Sequence, residues 1–179
     1  EPANPARSTG GHSCCFHHVA PMGPADQYDR EMWPSVLAYT TEPLAEDMYL
    51  VGDVSVTLHA ATSAVDTDWT ARLCRVDASG TSTNLAEGII RARYRDSLSE
   101  PSLLEPNRVY EYTIDLGPVG ARIAAGERIR LTVSSSDFPQ WDRNLNTGGP
   151  LFKEAITAAK SALQTVFHDA LRPSHVTLP

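Results

Sequence analysis

An all-β domain, two antiparallel sheets packed face to face with at most one short helix, is what this sequence predicts, and three observations predict it. Apolar and polar residues alternate in run after run, as in Arg128–Ser134, where Ile129, Leu131 and Val133 share one face and Arg128, Arg130, Thr132 and Ser134 the other. Turn signals such as Gly52-Asp53 and Ser79-Gly80 separate the runs at the spacing of sandwich strands, about eight to ten of them in all. Strands do not alternate with helices and no long repeat is visible, which excludes a parallel doubly wound core and a solenoid.

In chain order, Glu1 to Asp29 is rich in proline and glycine without a sustained period, and reads as an extended strap crossing other surfaces. The strands begin at Val36–Thr41, stopped by Glu42-Pro43. Met48–Val51 follows, Gly52-Asp53 is read as breaking it, and Val54–Ala60 resumes with Val54, Val56, Leu58 and Ala60 on one face. Asp68–Asp77 carries Trp69, Ala71 and Leu73 on one face and Cys74 and Val76 on the other, the mark of a central strand covered on both sides. Thr83–Tyr94 is next, with a bulge expected at Gly88. Asp96–Asn107 reads as a long surface loop, and Val109–Leu116 alternates with Tyr110, Tyr112, Ile114 and Leu116 inward. Ile123–Glu127 turns into the Arg128 strand. Leu151–Leu163 is alanine-rich and compatible with either a helix or an irregular connection, after which Gln164–His168 and His175–Leu178 close the sheets.

A chain of 179 residues fits one domain and is long enough for a sizeable core. Its net charge of −7, with only two lysines, Lys153 and Lys160, argues against nucleic acid as a partner. No apolar run has the length of a membrane span, so no membrane partner is expected. Arg91, Arg93 and Arg95 alternate and read as a solvated strand face, with a site for an acidic ligand as the other reading. Three cysteines, Cys14 and Cys15 adjacent and Cys74 in a strand, do not make a disulfide framework and fit a reducing, cytoplasmic setting.

The search for chemistry yields no catalytic residue, no cofactor and no metal. Gly11-His12-Ser13-Cys14-Cys15 lacks the closing glycine of a nucleophile elbow and the strand and helix that would flank one. His12, Cys14, Cys15, His17 and His18 are adjacent rather than spaced to wrap a tetrahedral metal. Ser134, Ser135 and Ser136 lie at a strand end and read as capping or bonding the neighbouring loop, and His59 as a surface histidine; His168 precedes Asp169, but consecutive strand side chains face opposite ways, and His175 has no acid beside it. Asp66 and Asp68 offer oxygen ligands to a hard cation, or, the reading preferred, take backbone N–H bonds in a turn.

Beyond Ser134 the alternation ends and Phe138, Pro139, Trp141, Asp142, Arg143, Asn144 and two glycines form a structured loop. This segment, Ser134-Ser135-Ser136-Asp137-Phe138-Pro139 with Asp142-Arg143-Asn144-Leu145-Asn146-Thr147-Gly148-Gly149, resembles the end of the C-terminal domain of the cocaine esterase and X-Pro dipeptidyl-peptidase group of serine hydrolases. Thr40–Leu44, Val51–Val54, Ala61–Trp69, Gly88–Arg95, His168–Ala170 and Pro173–Pro179 are similar to the same domain in the same order. The resemblance implies a jelly-roll β-sandwich, galactose-binding-domain-like, over residues 35–179, with residues 1–34 as the strap from an α/β-hydrolase domain that this chain does not contain. It further implies that the catalytic triad belongs to that domain, the partner of the same polypeptide; a homo-oligomer is compatible with it.

Two uses of the loop remain open. Phe138, Trp141, Asp142, Arg143 and Asn144 are candidates for an interface, together with the Gly10–Met22 strap, because buried aromatics dominate contact area and charges fix register. Alternatively, Trp141 with Asp142 and Asn144 forms a carbohydrate-binding site.

Overall fold

The structure, a computed structural model, describes residues 1–12 and 22–179. Among the described residues nine strands form two antiparallel sheets: β1 (Leu37–Thr40), β2 (Met48–Thr62), β3 (Asp68–Val76), β4 (Ser82–Arg91), β5 (Tyr110–Ile123), β6 (Arg128–Ser134), β7 (Gln164–Asp169), β8 (Arg172–Pro173) and β9 (His175–Thr177). One sheet has the order β1-β6-β3-β4, the other β5-β2-β7-β8 with β9 also on β2. The all-β sandwich is as the alternation predicts. One short helix, α1 (Tyr28–Glu31), sits in the strap, and Leu151–Leu163 is irregular apart from one 3-10 turn at Ile156–Ala158.

Three boundaries differ from the sequence reading, each for a local reason. Gly52-Asp53 does not break β2: Leu50, Val54, Val56, Leu58 and Ala60 keep one parity and are all buried in the core. Gly52 continues the ladder opposite Val119 at φ +139°, where a Cβ would stand 2.9 Å from the Pro179 ring. β5 runs past Leu116 because the register shifts between Val54 and Ser55, leaving Leu116 as an extra residue on β5. The inward parity changes there from Tyr112, Ile114 and Leu116 to Val119 and Ile123.

The third difference concerns Gly88. The bulge of β4 falls at Leu85, since Leu73 pairs Ala86 and Cys74 pairs Asn84. Gly88 instead pairs Ala71 in regular register, and a Cβ on it would come 1.9 Å from the Asp115 carbonyl oxygen of the opposing sheet. The sheets therefore touch backbone to side-chain-free backbone at β4 and β5. They part on the other side, where a cleft of about 380 Å³ lined by Tyr39, Leu131, Val166 and Val176 reaches the core residues Val56 and Leu58.

The core between the sheets is one cluster, centred on Trp69, Leu73, Leu58, Tyr112 and Ile114. β3 is buried on both faces, as its two-sided apolarity predicts, but what covers its outer face is the strap. Asp26 bridges to Thr83, the Gln27 N–H donates to the Ser82 carbonyl and the Ser8 N–H to the Phe138 carbonyl. Cys74 is fully buried and its thiol pushed up to about 12 by burial, which leaves it chemically inert.

Carboxylates hold several turns. Asp47 is kept below the ordinary range by the Ala125 N–H and Arg122, Asp77 by the Ser79 hydroxyl and the Thr81 N–H, and Asp169 by Arg172. A depressed folded-state pKa adds stability that is complete above the unfolded value of about 3.9 and lost as pH falls through the lower folded value. Thermal midpoints should therefore be flat from pH 6 to 5 and fall below about pH 4. Asp47→Asn, which keeps one acceptor but cannot ionise, should flatten part of that acid branch; an identical slope in the variant would refute the assignment.

Candidate functional site

The loop from Ser135 to Gly149 is held from beneath by charge. Asp66 and Asp68, in the turn that enters β3 and at its first residue, are fully buried. Asp66 accepts the Arg93 N–H at 3.1 Å and its Nε at 2.8 Å, and Asp68 takes Arg91 through two bonds of 2.8 and 2.9 Å. Between them stands Asn144, whose Nδ2 donates to Asp66 at 2.8 Å and to Asp68 at 2.9 Å while its Oδ1 accepts the Asn146 N–H. Arg93 also donates to the Gly149 carbonyl at 3.0 Å. Burial raises Asp68, opposed by Arg91 and Asn144; Arg91 is raised too, its burial outweighed by Asp68 and Asp142. Two bonds from Arg91 and a third from Asn144 Nδ2 hold the Asp68 carboxylate in its ionised state.

This overturns the reading of Arg91, Arg93 and Arg95 as a solvated face. Their side chains are 13%, 9% and 11% exposed, and all three pair with aspartates. The strand ends at Arg91 and turns into a 3-10 segment, Ala92–Tyr94, so the alternation does not extend to Arg93 and Arg95. Asp66 does take a backbone N–H in a turn, as preferred, but arginine and asparagine carry most of the bonding. Among the described residues no group of three His, Cys, Asp or Glu side chains is placed to hold a metal.

The five loop candidates separate into different environments. Asn144 points inward and its amide is fully used. Phe138, which follows Asp137 and forms a cis bond to Pro139, lies 3.9 Å under the Arg143 guanidinium. Asp142 is exposed and 3.2 Å from Arg91. Phe138, Asp142 and Arg143 line a cleft of about 370 Å³ with Leu151, Phe152 and Ile156, whereas the half-buried Trp141 is outside that lining. The aromatic and polar groups proposed for sugar stacking thus do not converge on one opening.

A second charged cluster went unseen in the sequence. Arg72, on the outer face of β3, donates to Asp137 at 2.9 Å and to Gln27 at 2.6 Å, and Arg30 of α1 reaches Asp137 at 3.2 Å. All three ionic side chains are at most 3% exposed. Burial pulls Arg30 below the ordinary guanidinium value, with Asp137 opposing. The available signal was parity: Arg72 shares a strand with Trp69, Ala71 and Leu73 but faces the other way in a strand covered on both sides, so it required a buried acid.

Strap and loop meet at Glu87. Its Oε1 accepts the His12 backbone N–H at 2.6 Å, lies 2.9 Å from His12 Nδ1 and takes Gln140 Nε2 at 3.4 Å. Gly11 makes room for this, at φ +82°, since a Cβ there would fall 2.1 Å from the same oxygen.

No hydrolytic constellation forms among the described residues. Ser136 Oγ accepts the Phe138 N–H of the neighbouring loop, as expected, whereas Ser134 Oγ donates to the distant Ser35 carbonyl. His59 is half-buried rather than on the surface, 3.6 Å from Glu111; His168 packs edge-on against Tyr39; His175 lies against the Pro173 carbonyl. Ser13, Cys14, Cys15, His17 and His18 lie outside the described residues.

Comparison with known proteins adds the family. The sequence profile described as X-Pro dipeptidyl-peptidase C-terminal non-catalytic domain matches residues 8–177. The chain is 41% identical over 182 residues to cocaine esterase of Rhodococcus sp. (strain MB1 Bresler), taking in 100% of this chain and 31% of that protein. It superposes with a TM-score of 0.81 and 34% identity on a selenomethionine-labelled α-amino acid ester hydrolase, over 86% of this chain and 27% of that one. The same score, at 31% identity and the same coverages, relates it to an aminopeptidase of a marine sediment Thaumarchaeota archaeon. This chain thus spans less than a third of the length of these relatives.

Proposed function

Since the chain belongs to the family of X-Pro dipeptidyl-peptidase C-terminal non-catalytic domains, we propose that it packs on, stabilises and partly frames an α/β-hydrolase domain of the same polypeptide. That domain would cleave ester, amide or X-Pro peptide bonds through a serine acyl-enzyme that water resolves. Residues 1–34 would be the strap between the two, and the cysteine usage fits a cytoplasmic protein. The observation that carries this reading is the meeting of strap and loop at Glu87. Two segments distant in sequence, both candidates for an interface, meet on one carboxylate through His12 and Gln140, residues 13–21 of the strap lying outside the described residues.

The test is an ester and X-Pro-anilide hydrolysis assay on the 179 residues alone. We expect no turnover above buffer. Turnover that disappears in Ser13→Ala or Ser135→Ala would overturn the proposal. The carbohydrate reading has its own outcome: saturable sugar binding followed by tryptophan fluorescence and abolished by Trp141→Ala. With Asn144 consumed by Asp66 and Asp68, no such saturation is expected.

A further inference from the structure

The loop that the sequence marks as an interface candidate shares a cleft with Leu151, Phe152 and Ile156, which the sequence does not mark. We infer that the cleft between Phe138 and Phe152 is the seat of the hydrolase domain, with Phe152 as its apolar anchor and Arg143 as its polar one. The inference rests on the reading above and says which part of the chain makes the contact.

Phe152 is 83% exposed at φ +61°, an uncommon conformation for a bulky side chain, and it presents the ring to solvent. Leu151 and Ile156 line the same opening, and Ile156 is 45% exposed. Exposed apolar groups gathered around a cleft mark an interaction site when nothing of their own chain covers them.

Arg143 adds a direction. Its guanidinium is stacked on Phe138 but has no carboxylate partner among the described residues, whereas Arg91, Arg93 and Arg95 are all paired. A surface that seats here must offer a pocket for an aromatic ring and an acceptor for a guanidinium. The platform is rigid, because Arg93 holds the Gly149 carbonyl and Asn144 locks the loop to Asp66 and Asp68.

The occupant follows from the length of the relatives and the course of the strap. Relatives are more than three times as long, and in the proposed parent the strap runs through Glu1, Pro2 and Pro5 along an opening that Arg143 and Asn144 also line, which holds the tethered domain beside the Phe152 cleft those same two residues border. A second copy or an unrelated protein would not need to be tethered there.

The experiment compares the longer polypeptide that carries this domain with the 179 residues alone. Amides of residues 145–158 should exchange at least about tenfold more slowly in the longer protein. Phe152→Asp should abolish that protection and lower the thermal midpoint of the longer protein, yet leave the midpoint of the 179 residues unchanged. Leu171→Asp, at a residue 90% exposed in the β7–β8 turn, should change neither. Equal exchange in both proteins, an effect of Leu171→Asp in place of Phe152→Asp, or protection that appears only with rising concentration and so reports a second copy, would each overturn the inference. If no form of the longer protein hydrolyses esters or X-Pro bonds, the proposed function fails first, and that outcome is read separately by the assay.

Discussion

Asp137→Ala is expected to lower the stability of the 179 residues by about 3–5 kcal/mol, the usual cost of removing one member of a buried ionic cluster. Arg30 and Arg72 would be left at most 3% exposed, close to one another and with no acid between them. For a chain of this length that corresponds to a fall of roughly 8–16 °C in thermal midpoint. The origin of the loss can be separated from simple cavity formation. If uncompensated charge is the cause, a triple variant Arg30→Met, Arg72→Met, Asp137→Leu should recover much of the lost stability, because a whole buried cluster can be replaced by apolar groups at little cost. If the triple variant is no more stable than Asp137→Ala, the cluster acts through shape and not charge. Urea midpoints at neutral pH decide between the two.

The consequence reaches the strap. Arg72 also holds Gln27 and the Thr9 carbonyl, and Arg30 holds the Ser136 carbonyl. Loss of Asp137 should therefore loosen residues 1–12 and 22–34 together, exposing the outer face of β3, before the sheets separate. Hydrogen exchange would show this as a strap that opens at lower denaturant than the core strands.

What the residues disclosed, and what they hid, follows from the range of the forces involved. Alternation is local, so β3, β6 and the inward face of β2 were legible from spacing alone. Parity changes are local too, but a glycine in a run is ambiguous. Gly52 and Gly117 look alike in sequence, and only the partner strand decides that one continues the ladder while the other follows an extra residue in a bulge. Gly88 hid its reason entirely, because the backbone that excludes a side chain there belongs to β5 of the other sheet.

The charged residues were the least legible. Arg91, Arg93 and Arg95 carry the period of an exposed face; Arg95 pairs its neighbour Asp96, but nothing nearby says that Asp68 and Asp66, some 25 residues earlier, will be the partners of Arg91 and Arg93. The loop itself was found, because loss of period and density of polar and aromatic residues are local signals. The division of labour within it, Asn144 inward and Phe138, Asp142 and Arg143 at the cleft, needed the fold.

Asn144→Ala is the second substitution for which a large effect is expected, about 3 kcal/mol. Two charge-assisted bonds from Nδ2 to Asp66 and Asp68 are lost, each worth about 1.5–3 kcal/mol, and partial relaxation through Arg91 and Arg93 limits the total. The loop loses its anchor at the same time, since Asn144 Oδ1 also holds the Asn146 N–H. Asn144→Asp should be worse than alanine at neutral pH, because a third carboxylate enters a site already holding two. Its own pKa would be forced upward in the folded state, so the variant should gain stability as pH falls from 7 toward 5, an interval whose lower part leaves the wild type flat. Unfolding midpoints of wild type, Asn144→Ala and Asn144→Asp across that interval give the sign directly. If Asn144→Asp is as stable as wild type at pH 7, the charged floor beneath the loop would have to be abandoned.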